Sequence, residues 1–395
     1  MTYFSLPEIP NYNKDIYGFI NPLYKSLDNF NKIVMNKTLA AYLLNIKSEI
    51  DTKQNEWDKY KKYINPYEYI HTTYPSIKSS ICKLKPTSRA FYKFIEIYHT
   101  LGLHEILKNK IKIFFLAEGP GGFIEATNYI RKDNDDIYHA ITLLDDNDVG
   151  IPGWKKKLNL TKNIVYENGV DNTGDIFNIE TYNHFYDRYA GTMDLITADG
   201  GFNFSSDFNN QENISTKLLL FEIFYAIMLQ KQGGVFIIKF YDTFSQISVD
   251  MIYFLMLVYK SVVEIKPCSS RYANSEKYIV CKNYRLDNFN KDVFLDIMLK
   301  IKTNNIERLF SINIPYYISN KIEEYNAIFG QQQLENILNT LSIMSNNKHD
   351  KFEIIKKQNI SKCINWCIRY KLPFYNIEQN TFNNTTNNIN NKTKI

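Results

Sequence analysis

Four polar side chains of this 395-residue chain stand where chemistry could be done. Asp199 closes the apolar run DLITADGG, Lys239 interrupts VFIIKFYD, Glu276 comes just before KYIVCKNY, and Lys93 lies within SRAFYKF. A lysine in an apolar strand end is costly to bury unless it is paired or neutral. Taken alone, Lys239 reads equally well as an edge residue whose amine reaches solvent. Two amines and two carboxylates gathered at one place can hold, orient and move a proton. Coincidence explains four such positions less well than one.

The second feature is the turn Leu116-Ala117-Glu118-Gly119-Pro120-Gly121-Gly122-Phe123-Ile124-Glu125-Ala126. It leaves an apolar run, turns through three glycines and enters a helical pattern. Missing side chains let a ligand approach the backbone, and a helix N-terminus offers free N–H groups. Nucleotide-like cofactors sit this way at the carboxyl ends of parallel strands. The dinucleotide fingerprint G-x-G-x-x-G is not met, and a tight turn with no ligand is the plain alternative. The next apolar run ends in Asp145, where an acid can accept both hydroxyls of a ribose. The one after runs into Asp171-Asn172-Thr173-Gly174-Asp175. There an acid, Asp171 or Asp175, can accept from an adenine amino group.

These residues need a scaffold, and seven short β-rich runs supply it: 111–118, 138–145, 163–169, 193–201, 235–242, 261–267 and 277–284. Several are nearly continuous in apolar residues, as parallel strands covered on both faces should be. Helical patterns fall between them. One spans 88–107 with Ser88 as N-cap, and another spans 214–232 and is ended by Gly233–Gly234. The alternation predicts a doubly wound α/β sheet. The segments 36–62, 291–302, 322–346 and 351–369 read as helices, and no strand is expected after about residue 286. This predicts an N-terminal helical or irregular extension (1–84), a central α/β domain (85–285), a C-terminal α-rich region (286–375) and a disordered Asn/Thr-rich tail (376–395).

Composition narrows the class. Hydrophobic residues at 44% and charged residues at 23% are ordinary for a globular chain and exclude global disorder. No apolar run approaches the roughly 20 residues of a membrane span, so no membrane partner is expected. The N-terminus lacks a basic stretch followed by an apolar core, so no secretory signal is expected. Five cysteines are an odd, sparse set that points to a reducing, intracellular compartment, with cytoplasm the expected location. A net charge of +5 permits a polyanionic partner without demanding one. The 30 tyrosines and 26 phenylalanines fit an AT-rich coding bias, so they cannot all be base-stacking platforms.

The motifs Ser88-Arg89-Ala90-Phe91-Tyr92-Lys93, LAEGPGGFIEA, DLITADGGF, GGVFIIKFYD and SSRYANSEKYIV occur in that order over roughly residues 85–285. In this the chain resembles the FtsJ/RrmJ-like ribose 2′-O-methyltransferases. The likeness is nearest to the cap-specific mRNA enzymes of eukaryotes, including the Adrift type, and of large DNA viruses. It implies a Rossmann-like, mostly parallel seven-stranded sheet with α-rich additions, and S-adenosylmethionine as cofactor. The cofactor would lie on Gly119, Pro120, Gly121, Gly122 and Phe123, with Asp145 near its ribose. It implies a Lys-Asp-Lys-Glu tetrad on Lys93, Asp199, Lys239 and Glu276, and an RNA substrate, capped mRNA favoured over ribosomal or transfer RNA. Capping or transcription machinery would be the partner, and a viral relative would work in host cytoplasm or virion. In this reading Lys239, its pKa lowered by Lys93 and by desolvation, takes the hydroxyl proton. Asp199 orients Lys239, while Glu276 and Lys93 fix the hydroxyl. A non-catalytic RNA-binding subunit of a capping or polyadenylation complex is the alternative, and four intact residues argue against it.

Other motifs carry less. Asn65-Pro66-Tyr67 lacks the second proline of amine-methylating enzymes and precedes the glycine turn. Cys363 and Cys367 flank Trp366 on a helix and read as core residues, so no protein-bound metal is expected. Arg89, Lys155, Lys156, Lys157 and Arg271 are the candidates for an RNA path, with a solvated basic loop the bland reading of the three lysines.

Overall fold

The structure is a computed structural model. It describes residues 2–9, 16–27, 32–132, 135–145, 151–155, 163–202, 209–346 and 349–375. In chain order the strands are β1 (Thr2–Ser5), β2 (Ile20–Lys25), β3 (Lys112–Leu116), β4 (Ile137–Ile141), β5 (Ile164–Tyr166), β6 (Met193–Ala198), β7 (Gln230–Phe240), β8 (Tyr259–Lys266), β9 (Lys277–Tyr284) and β10 (Asn305–Phe310). The helices are α1 (Lys37–Asp51), α2 (Gln54–Ile64), α3 (Ala90–Thr100), α4 (Leu103–Ile106), α5 (Gly122–Arg131), α6 (Ile179–Tyr189), α7 (Gln211–Leu229), α8 (Gln246–Val258), α9 (Lys291–Ile301), α10 (Tyr316–Asn346) and α11 (His349–Arg369).

Eight strands form one sheet in the order β1-β8-β9-β7-β6-β3-β4-β5. The run β7-β6-β3-β4-β5 is parallel, and β9 lies antiparallel between β7 and β8. All seven expected strands are present. The eighth is β1, which pairs antiparallel with β8 from Thr2 opposite Lys266 to Ser5 opposite Val263.

Residues of the inner strands alternate between two cores. Along β3, Phe114 and Leu116 enter the core beneath α6, α7, α8 and α9, while Ile113 and Phe115 enter the core beneath α3, α5 and α11. Both faces are therefore dry, which is why these strands read as continuous apolar runs. The flanking segments join the same two cores: Leu6, Ile318 and Ile322 on one side, Cys363, Trp366 and Cys367 on the other.

Several expectations change. The single helix 88–107 is two, broken where Gly102 adopts φ +63°. Ser88 lies one residue before the helix edge, and its Oγ accepts the Ala90 N–H at 3.3 Å. Gly233–Gly234 do not end α7. The chain turns extended at Gln230, whose side-chain amide donates to the Met193 carbonyl at 2.8 Å and accepts from Tyr259 Oη at 3.0 Å. The two glycines form an irregularity inside β7, with Gly233 at φ +77°. A strand does follow residue 286: β10 pairs with β2 across nearly the whole chain and buries Ile306, Leu309 and Phe310. The tail 376–395 lies outside the described residues.

Candidate active site

Lys93 stands on α3, Asp199 just beyond β6, Lys239 near the end of β7 and Glu276 just before β9. The neighbouring carboxyl ends of β6 and β7 and the antiparallel start of β9 bring the last three to one edge, since Lys239 is opposite Tyr278 in the ladder. The structure gathers all four as two ion pairs. Lys93 Nζ is 2.7 Å from Glu276 Oε1. Lys239 Nζ donates to the Asp199 carbonyl at 2.6 Å and lies 3.4 Å from Asp199 Oδ1. The four side chains are only 11–14% exposed, so their charges interact with little screening.

Electrostatics decide the protonation states. Burial would raise the Glu276 carboxyl, but Lys93 and Lys239 overturn that and hold it down at about 2. Burial would lower the Lys239 amine, yet Asp199, Tyr241, Glu276 and Glu222 together hold it above its ordinary value. This corrects the expectation of a lysine tuned to lose its proton: Asp199 and Glu276 outweigh desolvation, and Lys239 stands as an ammonium.

Side chains not picked from the sequence complete the geometry. Tyr278 Oη donates to Asp199 Oδ1 at 2.7 Å, and Ser270 Oγ donates to Glu276 Oε1 at 2.8 Å. Lys266 is buried and donates to the Asn274 carbonyl at 2.7 Å, to Asn274 Oδ1 at 3.1 Å and to the Glu276 carbonyl at 2.6 Å. It therefore fastens the backbone that presents Glu276. Tyr278 could have been found, because it sits two residues after Glu276 at the start of the run KYIVCKNY.

Arg89 and Arg271, expected along an RNA path, are tied to one another through buried Glu68. Its carboxylate accepts from Arg89 at 2.8 Å, from Arg271 at 2.8 and 3.1 Å, from Asn65 at 2.7 Å and from Thr72 at 2.9 Å. Arg89 also donates to the Ser269 carbonyl at 2.9 Å. The two guanidiniums thus hold the start of α3 against the segment that carries Glu276. Lys155 is exposed, while Lys156 and Lys157 lie outside the described residues.

The glycine turn occupies the carboxyl end of β3 as expected, but its glycines serve the chain's own packing. A Cβ on Gly119 would meet the Pro152 carbonyl at 2.1 Å, and one on Gly122 would meet Ser88 Oγ at 2.2 Å. Gly121 adopts φ +104°, a conformation that glycine takes without strain. Pro120 is partly buried, its peptide bond with Gly119 cis. Phe123 is buried against Phe94 and Tyr278, with ring centroids 5.0 and 5.8 Å away. Only its N–H faces the turn, donating to Glu118 Oε1 at 2.8 Å.

Asp145 is exposed at the end of β4. Asp171 is exposed and already accepts from Thr173 and Asn178, whereas half-buried Asp175 accepts from the Phe177 N–H at 2.8 Å. The 171–175 turn is locked onto the β4 end: Thr173 accepts the Leu144 N–H at 2.8 Å, and Gly174 abuts the Thr142 carbonyl. The turn after β3, Asp145 and Asp175 therefore share one edge with the two ion pairs.

The family of FtsJ-like methyltransferases matches residues 86–284, just over half of the chain and all four of these residues. The chain belongs to that family. Among curated relatives of this FtsJ-like chain, a cap-specific mRNA (nucleoside-2′-O-)-methyltransferase 1 from Mus musculus is 29% identical over 73% of the chain. The Xenopus laevis protein of the same name is 29% identical over 62%. The chain spans 36% and 30% of these relatives' own lengths. A solved structure described as a ribosomal RNA methyltransferase, from Plasmodium falciparum, aligns with a TM-score of 0.36 at 22% identity. It covers 50% of this chain and 97% of its own.

Proposed function

We propose that this FtsJ-like chain transfers a methyl group from S-adenosylmethionine to the 2′-hydroxyl of an RNA ribose, with capped mRNA as substrate. The convergence of Lys93–Glu276 and Lys239–Asp199 beside the glycine turn carries the reading. When bound, S-adenosylmethionine supplies a methyl group activated by its sulfonium. The residues that would hold it are the Gly119–Phe123 turn, Asp145 for the ribose, and Asp175 or Asp171 for the base. Lys93 and Glu276 hold the hydroxyl oxygen in line, and positioning of this kind supplies much of the rate. When the ribose oxygen takes the methyl group and a thioether is left behind, the hydroxyl proton would pass to Lys239 Nζ. Lys239 must first release the proton that Asp199 and Glu276 hold on it, so transfer quickens toward alkaline pH.

The names of the curated relatives support capped mRNA. A groove of about 180 Å³ adds to this. It lies between α1, α2, α10 and the 271–274 segment, with Trp57, Tyr272, Lys61 and Arg271 among its lining residues. Tyr272 and Lys61 together suit a base and its phosphates, whereas Trp57 is buried in the groove wall and Arg271 is held by Glu68. Gln211, also in the lining, accepts from Ser275 Oγ at 2.9 Å, one residue from Glu276. Five cysteines, all buried and unpaired, are in keeping with a reducing compartment.

The test is methylation of capped, uncapped and ribosomal RNA, followed by nucleoside analysis. A 2′-O-methylated nucleotide on capped RNA alone is expected. Methylation of ribosomal RNA only would overturn the substrate, and a methylated base would overturn the reaction. Lys61→Ala should raise KM for capped RNA while leaving kcat within about threefold, the signature of lost substrate binding without lost chemistry.

A further inference from the structure

The apolar helix α7 carries a carboxylate that the described mechanism does not use. Glu222 is 0% exposed, and among the described residues neither of its oxygens makes a well-formed hydrogen bond, with the Gly200 backbone N–H as a weak nearby donor. It lies directly beneath the turn that presents Asp199: the place a Gly200 Cβ would take is 2.3 Å from Glu222 Oε1. An ionised carboxylate so short of donors is a costly thing to bury, so such a site favours the neutral acid. Burial and nearby Asp199 push its titration up to about 8, with Lys239 pulling the other way.

We propose that Glu222 is a positioning residue of the methyl-transfer site. As a neutral acid it supports the Asp199-Gly200-Gly201 turn, and as a carboxylate it tightens the hold on the Lys239 proton and slows transfer. The groups that face it come from every strand end nearby. Glu118 follows β3, with one oxygen on the Phe123 N–H and the other unpartnered. Asp199 follows β6, Lys239 lies in β7, and Tyr241 comes just after it. Glu276 stands beyond Lys239. Among the described residues, no charged partner from α6, α8 or α9, the other helices packed on α7, acts on Glu222. Among the described residues, Lys239 and Lys93 together face an excess of acids, and a negative charge on Glu222 falls on Lys239.

Glu222→Gln keeps the shape and removes the titration. The ratio of its kcat to the wild-type kcat, measured on the same RNA, should be near one at pH 6.5 and rise with pH. By pH 9.5 it should reach about tenfold, the change in neutral Lys239 if the added charge moves its titration by about one pH unit. A ratio that stays constant or falls with pH overturns the proposal. The kinetic arm rests on the methyl-transfer reading, so a second measurement stands apart from it. Infrared difference spectra of wild type minus Glu222→Gln, with S-adenosylhomocysteine present, should show the C=O stretch of a protonated carboxylic acid at pH 7, fading as pH rises past about 8. Absence of that band at pH 7 also overturns it, even if no RNA is ever methylated.

Discussion

Glu68→Gln should loosen the chain without touching any residue of the tetrad. The native carboxylate takes five hydrogen bonds, three of them from the two guanidiniums. A glutamine keeps one acceptor and turns an NH₂ toward donors, leaving two positive charges without their counter-ion. Removing one partner of a buried pair costs about 3–5 kcal/mol. Arg89 and Arg271 are 21% and 32% exposed and can recruit water, which puts the loss near the low end, about 3 kcal/mol or two decades in the folding constant. Against burial, the two arginines and the Asn65 amide hold the Glu68 carboxyl well below the usual range. A depressed acid contributes stability that is complete above its unfolded pKa of about 4.3 and fades as pH falls toward the folded value. Urea unfolding of both proteins should therefore show a constant gap from pH 8 to about pH 5, narrowing below. A gap under about 0.5 kcal/mol at pH 7, or one that widens on acidification, would refute the clamp. Because both arginines brace the segment that presents Glu276, kcat should fall about tenfold or more with cofactor affinity retained.

Lys239→Ala and Lys239→Arg should each lower kcat by about 10²–10⁴-fold with cofactor binding intact, and near-normal transfer by either would remove Lys239 as proton acceptor. Tyr278→Phe deletes the donor to Asp199, and a hydrogen bond to a charged group is worth about 1.5–3 kcal/mol. A kcat loss of about tenfold or more is expected, and an unchanged rate would mean that Asp199 needs no such anchor. Gly119→Ala would drive a methyl into the Pro152 carbonyl. Overpacking of this kind costs about 1–3 kcal/mol, and calorimetry should find a lower Tm together with weakened cofactor binding.

How far the sequence reaches depends on what each residue's neighbours demand. The six inner strands are legible because both their faces are largely dry, so apolar runs survive without alternation, while β5 is a short, half-exposed edge. β1, β2 and β10 are not legible, since each is a short edge element and the partner of β10 lies at the far end of the chain. The four tetrad positions stand out as polar residues at the ends of apolar runs. Glu68 gives no such signal, because nothing in EYIHTTY says that two distant arginines will close on it. Glu222 did leave one: a lone acid within LLLFEIFYAIML is hard to place on a solvated face. The reverse error is Gly233–Gly234, where the glycine pair suggests a helix stop and a glutamine side chain reaching the Met193 carbonyl decides otherwise.

Glu96, 0% exposed on α3, takes hydrogen bonds from the Cys268 and Ser269 backbone and from the indole of Trp366 at 3.1 Å. A residue from the last helix thus reaches the helix of Lys93 and the loop before Glu276 at once, while β1 seals the opposite border of the sheet. Trimming the chain to residues 86–284, the span that the family matches, would strip that indole from Glu96 and bare the β8 edge to self-association. Anyone wishing to transplant the catalytic unit should carry both termini along.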